Sequence, residues 1–171
     1  MFVKTITRNL GRADLKDFYI TSDRISVDDR GFQKFFVDAT KDSAISPAEN
    51  VTYHFHTTLE NAHDNDNIAL VGEKLIDLST TAGRVEARRR LNFLKHLIQD
   101  HQNRKPGELL VNAYRNSIGW FKLETGDALA VGCYLFRGGN QWRCISWPLQ
   151  RHSAGGYYFS GVDKVEHHQL H

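Results

Sequence analysis

Between Arg84 and His101 the apolar residues recur at helical spacing over a length that no other stretch of the chain matches. At about 100° per residue, Ala87, Leu91, Leu94 and Ile98 fall on one stripe, and Phe93 and Leu97 widen it into a core-facing arc. Arg84, Arg88, Arg89, Asn92, Lys95, His96 and Gln99 take the opposite arc, where charged heads can stay in water. The pattern predicts an amphipathic, basic helix. Ser79, Thr80 and Thr81 supply capping hydroxyls at its start, and Glu86 places a negative charge in the first turn, where the helix dipole favours it. Gln102, Asn103 and Pro106-Gly107 end it.

Arg90 breaks the pattern, because the same wheel sets it inside the apolar arc, between Leu94 and Leu97 in angle. An unpaired guanidinium there would be costly. Either the side chain snorkels along its aliphatic stem or pairs with one of the chain's carboxylates, or it lines a pocket and grips an anionic group through its planar fork.

Elsewhere the apolar positions come in short runs. Phe2–Ile6 alternates, Phe18–Thr21 and Gly31–Ala39 read as strands, and Val51–Leu59 alternates most cleanly. In that last run Val51, Tyr53, Phe55 and Leu59 share one face, and Thr52, His54, His56 and Thr58 share the other. Lys41–Asn50 and Glu60–Asn67 read as loops; Ile68–Val71 and Lys74–Leu78 are short strands leading to the helix. After it come Leu109–Tyr114, Ile118–Leu123, Ala128–Phe136, Gln141–Trp147 and Tyr157–Phe159, with a hairpin at Arg137-Gly138-Gly139-Asn140. Short spacing between them favours meanders over parallel crossovers. The expected fold is α+β: a mainly antiparallel, curved sheet of about seven to nine strands packed on one long amphipathic helix. Residues 1–165 should form a single domain, and 166–171 a frayed tail.

Composition is that of an ordinary folded protein, and charge changes the picture only through its distribution. Residues 1–83 carry −4, residues 84–105 carry +5 and residues 106–171 carry +1, within a net charge of +2. The positive charge therefore gathers on the helix and the turn after it. Arg84, Arg88, Arg89, Arg90, Lys95, Arg104 and Lys105 are the candidate polyanion-binding residues, since a row of cations along one face can track phosphates. The leading expectation is a non-enzymatic protein that engages nucleic acid or an acidic protein partner, with stacking surfaces such as Trp120, Tyr134 and Trp142. Sheet edges offer a structural or self-assembling alternative, a homo-oligomer. No apolar run is long enough to span a bilayer or to serve as a signal core, so the expected location is intracellular and cytoplasmic, without membrane binding.

Histidines supply the enzymatic alternative. His54 and His56 project from one strand face, with His63, Asp64 and Asp66 in the next loop, a spacing that two imidazoles of a metal site could use. His56-Thr57-Thr58-Leu59 is similar to one half of the paired motif of the two-histidine phosphoesterases, but His152-Ser153-Ala154 lacks the hydroxyl that a second copy needs. A histidine-dependent phosphoesterase or metal hydrolase is thus the alternative reading. No metal site or cofactor is assigned, and phosphate-loop, dinucleotide and nucleophile-elbow patterns are missing. Cys133 and Cys144 stand equidistant from Gly138-Gly139, so a regular hairpin sets them opposite each other, within disulfide range; reduced thiols are expected in a reducing compartment.

Overall fold

In a computed structural model of the chain, residues 2–28, 31–58, 61–102, 107–111, 115–136, 140–149 and 156–161 are described. Their elements run β1 (Phe2–Leu10), β2 (Ala13–Asp14), α1 (Leu15–Phe18), β3 (Ile25–Val27), α2 (Gly31–Ala39), β4 (Ile45–Ser46), β5 (Glu49–Thr57), α3 (Asp64–Val71), β6 (Ile76–Asp77), α4 (Thr81–Gln102), β7 (Arg115–Lys122), β8 (Ala128–Leu135), β9 (Trp142–Pro148) and β10 (Gly156–Ser160). Eight strands form one mostly antiparallel, mixed sheet in the order β1-β5-β10-β7-β8-β9-β3, with β6 beside β7; β2 and β4 make a small ladder of their own.

The long helix α4 forms because its apolar stripe has a sheet to bury itself against. Ala87, Leu91, Phe93, Leu94, Leu97 and Ile98 are all fully buried, and the Phe93 ring meets Tyr53 and Phe55 of β5 at 4.8 and 6.3 Å between centroids. Thr80 is the effective cap, its Oγ1 accepting from Gly83 N at 3.0 Å. A side chain at Gly83 would put Cβ 1.8 Å from the Asp77 carbonyl, so only glycine lets the helix start this close to β6.

β5 follows the alternation read in the sequence. Val51, Tyr53 and Phe55 are buried towards α4, while Thr52 and His54 lie on the far face. Thr5 and Thr7 of β1 stand opposite His54 and Thr52, with side-chain hydrogen bonds of 2.9 Å in each pair. β7, β8 and β9 form the expected meander, and Cys133 and Cys144 occupy opposite positions in it, both buried with free thiols. Three of the pairings are parallel, β10 with β7, β6 with β7 and β3 with β9, which the short spacings did not foretell.

Several segments differ from their expected structure, among them Lys41–Asn50, which was expected as a loop and holds β4 and the start of β5. Gly31–Ala39 is helix α2, not a strand: Phe32, Phe35, Phe36 and Ala39 lie at i, i+3, i+4 and i+7, and all are buried. The region 60–71 was expected as a loop followed by a strand, yet Asp64–Val71 is helix α3; His63 Nδ1 caps it by accepting from Asn65 N, and Gly72 closes it at φ 80°. Phe18–Thr21 is no strand either, because Phe18 ends α1. The hairpin tip at 137–139 and part of the Leu109–Tyr114 run lie outside the described residues.

The sheet carries apolar material on both faces. α1, α2 and α4 cover one side around the main core, and on the other side Val71 of α3 packs with Trp120, Ala130, Trp147 and Tyr158. There the Trp120 and Tyr158 rings stack at 3.6 Å with 19° between their planes. No helix among the described residues is long and apolar enough to cross a membrane.

Candidate functional site: a charged cleft in the sheet

The arginines of α4 are engaged by the protein itself. Arg84 donates from Nε to Asp42 at 2.7 Å, from Nη1 to the Leu78 carbonyl at 3.1 Å and from Nη2 to Thr81 Oγ1 at 3.3 Å. Arg88 donates to the Ala39 carbonyl at the end of α2 at 3.0 Å. Arg89 bridges Glu49 at 2.8 Å and Glu86 at 2.6 Å. Lys95 lies over the Phe18 ring at 5.8 Å. Arg104 and Lys105 lie outside the described residues. The arc expected to face water is therefore half-buried or buried from Glu86 to His101, and its guanidinium groups point at carboxylates and carbonyls rather than outward. Among the described residues, the guanidinium groups of α4 do not form a fully solvated row. The wheel places residues around the helix but says nothing of what α2, β5 and the loop at Asp42 bring against it.

Arg90 is the centre of the arrangement. It is 3% exposed, pairs with Glu73 at 2.5 Å through Nη2, donates from Nε to Glu86 at 2.7 Å and from Nη1 to the Ile118 carbonyl at 2.8 Å, and lies over the Tyr53 ring at 5.2 Å. The register of β7 against β8 slips between Ser117 and Gly119, and the carbonyl that Arg90 uses belongs to the residue in that bulge. A Cβ at Gly119 would sit 3.1 Å from Nη1 and 2.9 Å from the Phe121 ring, so the missing side chain makes room for the guanidinium. Of the two readings of Arg90, pairing with the chain's own carboxylates describes its contacts. It lines a pocket as well, but its fork is filled.

The electrostatics follow from this packing. Burial works against the charge on Arg90, and Glu73, Tyr158, Glu86 and Tyr53 together more than reverse it, so its pKa is raised. Burial pushes the Glu86 carboxyl up, but Arg90, Arg89 and the Tyr53 hydroxyl, which donates at 2.9 Å, outweigh it and hold Glu86 below its ordinary range. Burial first, then Glu86, raises the Tyr53 phenol, with the arginines opposing.

These groups line a cleft of about 430 Å³ whose wall is Glu49–Tyr53 of β5, with Glu73, Glu86, Arg89, Arg90 and Gly161 around it. The cleft exists because β5 outruns its neighbour. β5 is paired with β1 from Glu49 to His56, but β10 covers its other side only from Thr57 to His54. Among the described residues no strand pairs with that other side from Glu49 to Tyr53. Beyond the end of β10, the place beside β7 passes to β6, and the sheet splits. Glu73, in the segment between α3 and β6, lines the cleft; it is 7% exposed, and among the described residues its Oε2 accepts no hydrogen bond.

The histidines of the enzymatic reading do not converge. His54 Nδ1 is 2.9 Å from Thr5 Oγ1, His56 is buried beside it, and Phe2 packs edge-on against both rings at 6.4 and 6.0 Å. His63 is spent as a helix cap. No group of three or more His, Cys, Asp or Glu side chains among the described residues could hold a metal ion. Burial pushes the Cys144 thiol up to about 12 and raises Cys133 likewise, so neither is a nucleophile at neutral pH. No protein-family model, curated protein or solved structure matches the chain. Sequence reasoning found Arg90 by its position on the wheel but missed Glu73 and the free stretch of β5, for which the sequence carries no local signal.

Proposed function

We propose that this protein is a non-enzymatic binding domain that takes an extended segment of a protein partner along the free stretch of β5. One observation carries the reading: among the described residues Glu49–Tyr53 has a strand on one side only and presents the other to a polar cleft. Main-chain N–H and C=O groups on such an edge are a template for another strand, and a guest there gains hydrogen bonds regardless of its side chains. The cleft floor adds the side-chain contacts that would give selectivity.

The margin of the sheet is a poorer template. β1 carries Lys4 and Arg8 on its inward side, tied to Glu108 and Asp100, and its register slips between Phe2 and Lys4. Inward charges and bulges are the devices that blunt a sheet edge. The gap at β5 has no bulge, and its one charged side chain, Glu49, is paired with Arg89. General-acid chemistry by Glu86 is disfavoured, because its carboxyl is held below the ordinary range and has no proton to give near neutral pH. A polyanion partner is disfavoured because the guanidinium groups of Arg84, Arg89 and Arg90 already meet carboxylates.

The test is a peptide-display selection on the immobilised protein, followed by hydrogen exchange of the complexes. Selected peptides should slow exchange of amides within Glu49–Tyr53 and leave His54–His56, already covered on both sides, unchanged. Peptides that protect only other segments, or no selected peptide at all, would overturn the reading.

A further inference from the structure

The cleft is not neutral. Among the described residues three carboxylates, Glu49, Glu73 and Glu86, meet two guanidinium groups, Arg89 and Arg90, which leaves one negative charge in excess. The excess can be located. Glu49 accepts from Arg89; Glu86 accepts from Arg89, Arg90 and Tyr53. Among the described residues Glu73 has the charge contact of Oε1 with Arg90 Nη2 and the Tyr158 phenol nearby, and its Oε2 accepts no hydrogen bond although the residue is more than nine-tenths buried. A buried carboxylate oxygen without a donor is costly to the protein alone, and a visiting donor removes that cost.

Resting on the strand-addition reading above, we infer that the guest strand carries a lysine or arginine whose cationic head enters the cleft and is held by Glu73 Oε2. The choice of a cation over a neutral donor follows from the charge count: an amide or hydroxyl satisfies the oxygen but leaves the excess charge in a low-dielectric site, whereas a cation removes both. An acidic guest side chain would double the imbalance. The chemical class of partner is therefore a basic extended peptide, the reverse of the polyanion that the arginine-rich helix suggests from sequence.

The probe is a set of blocked heptapeptides, acetyl-Thr-Val-Thr-X-Thr-Val-Thr-amide, with X as lysine, norleucine, threonine or glutamate, titrated into the full chain while the β5 amide resonances are followed. The lysine peptide should bind at least about tenfold more tightly than the norleucine and threonine peptides, a difference of about 1.4 kcal/mol. Glutamate should bind most weakly. Shortening X to diaminobutyrate should bring affinity back towards norleucine, because the head then stops short of Glu73; this arm needs no protein variant. Glu73→Gln should bring the lysine-to-norleucine ratio close to one. Equal binding of the lysine, norleucine and threonine peptides would overturn the charge inference and leave strand addition standing. If none binds, or if the amides of Glu49–Tyr53 are already protected in the ligand-free protein, both fall.

Discussion

The two halves of α4 hold to the rest of the protein by opposite physics. From Leu91 to Ile98 the helix is anchored mainly by fully buried Leu91, Phe93, Leu94, Leu97 and Ile98, a contact that has no direction and tolerates any apolar surface of the right shape, with buried Asn92 adding hydrogen bonds to the Gly11 carbonyl and Ser46 Oγ. From Arg84 to Arg90 it is anchored by fixed ion pairs and hydrogen bonds to Asp42, Ala39, Glu49, Glu73 and Ile118. The first kind of anchor supplies stability, and the second supplies position. Arg90 sets where Glu73 and Glu86 stand, and so shapes the cleft, while Phe93 a turn away only fills space against Tyr53 and Phe55. One helix thus carries both the core and the wall of the candidate site.

The comparison predicts unequal responses to substitution. Phe93→Ala should cost the most stability, about 4 kcal/mol by denaturant unfolding, because it opens a cavity against two aromatic rings. Arg90→Leu should cost about 3 kcal/mol, because Glu73 and Glu86 then lose the buried cation they face. Adding Glu73→Leu to Arg90→Leu should recover part of that loss, a coupling that a double-mutant cycle reads directly. No such rescue should exist for Phe93→Ala. If Arg90→Leu is neutral by itself, the view of the first half as charge-anchored is wrong.

Acid should separate the halves further. Burial, joined by Lys95 in one case, lowers the His96 pKa, and burial lowers that of His101, both from 6.5. Their contribution is full above the ordinary histidine value and is lost as pH falls through the depressed folded values, since the unfolded chain takes up the proton first. Glu86 follows. Its folded pKa lies below the ordinary 4.5, so its contribution is full above that value and is lost as pH falls through the lower one. Unfolding free energy followed from pH 7 to 3 should fall in these two stages, and Glu86→Gln should flatten the second alone.

Smaller effects test the borders. Arg88→Ala should cost about 1 kcal/mol, the hydrogen bond to the Ala39 carbonyl being half-buried. Cys133 and Cys144 should resist alkylation at pH 8 until the protein unfolds, because burial keeps both protonated. Rapid labelling of either in the folded state would show that the β8–β9 hairpin opens readily.

Much of the fold was legible wherever periodicity is local. The stripe of α4, the two faces of β5 and the opposition of Cys133 and Cys144 were read correctly because each depends on spacing within one element or one hairpin. Helix α2 was legible too, since Phe32, Phe35, Phe36 and Ala39 keep helical spacing, but its aromatic, strand-like composition pulled the reading the other way. Helix α3 has little amphipathic signal, and only Asp64 and Asp66 in its first turn and Gly72 after its last announce it. The two-residue pairings of β2 with β4 and of β6 with β7 are too short to mark a sequence at all.

What the chain's order of residues decided by itself is which side chains point together: the apolar arc of α4, the buried face of β5, and Arg90 as an intruder in the arc. Chain geometry within one element is enough for that. What only the tertiary structure decided is where the charges end. Whether an arginine faces water or Glu73, and whether β5 has a neighbour at Glu49 or none, depends on which distant strands meet, how far β10 runs and where β7 bulges. Those are contacts between segments far apart along the chain, so they leave no period in it, and the charged cleft they create could be seen only once the sheet was assembled.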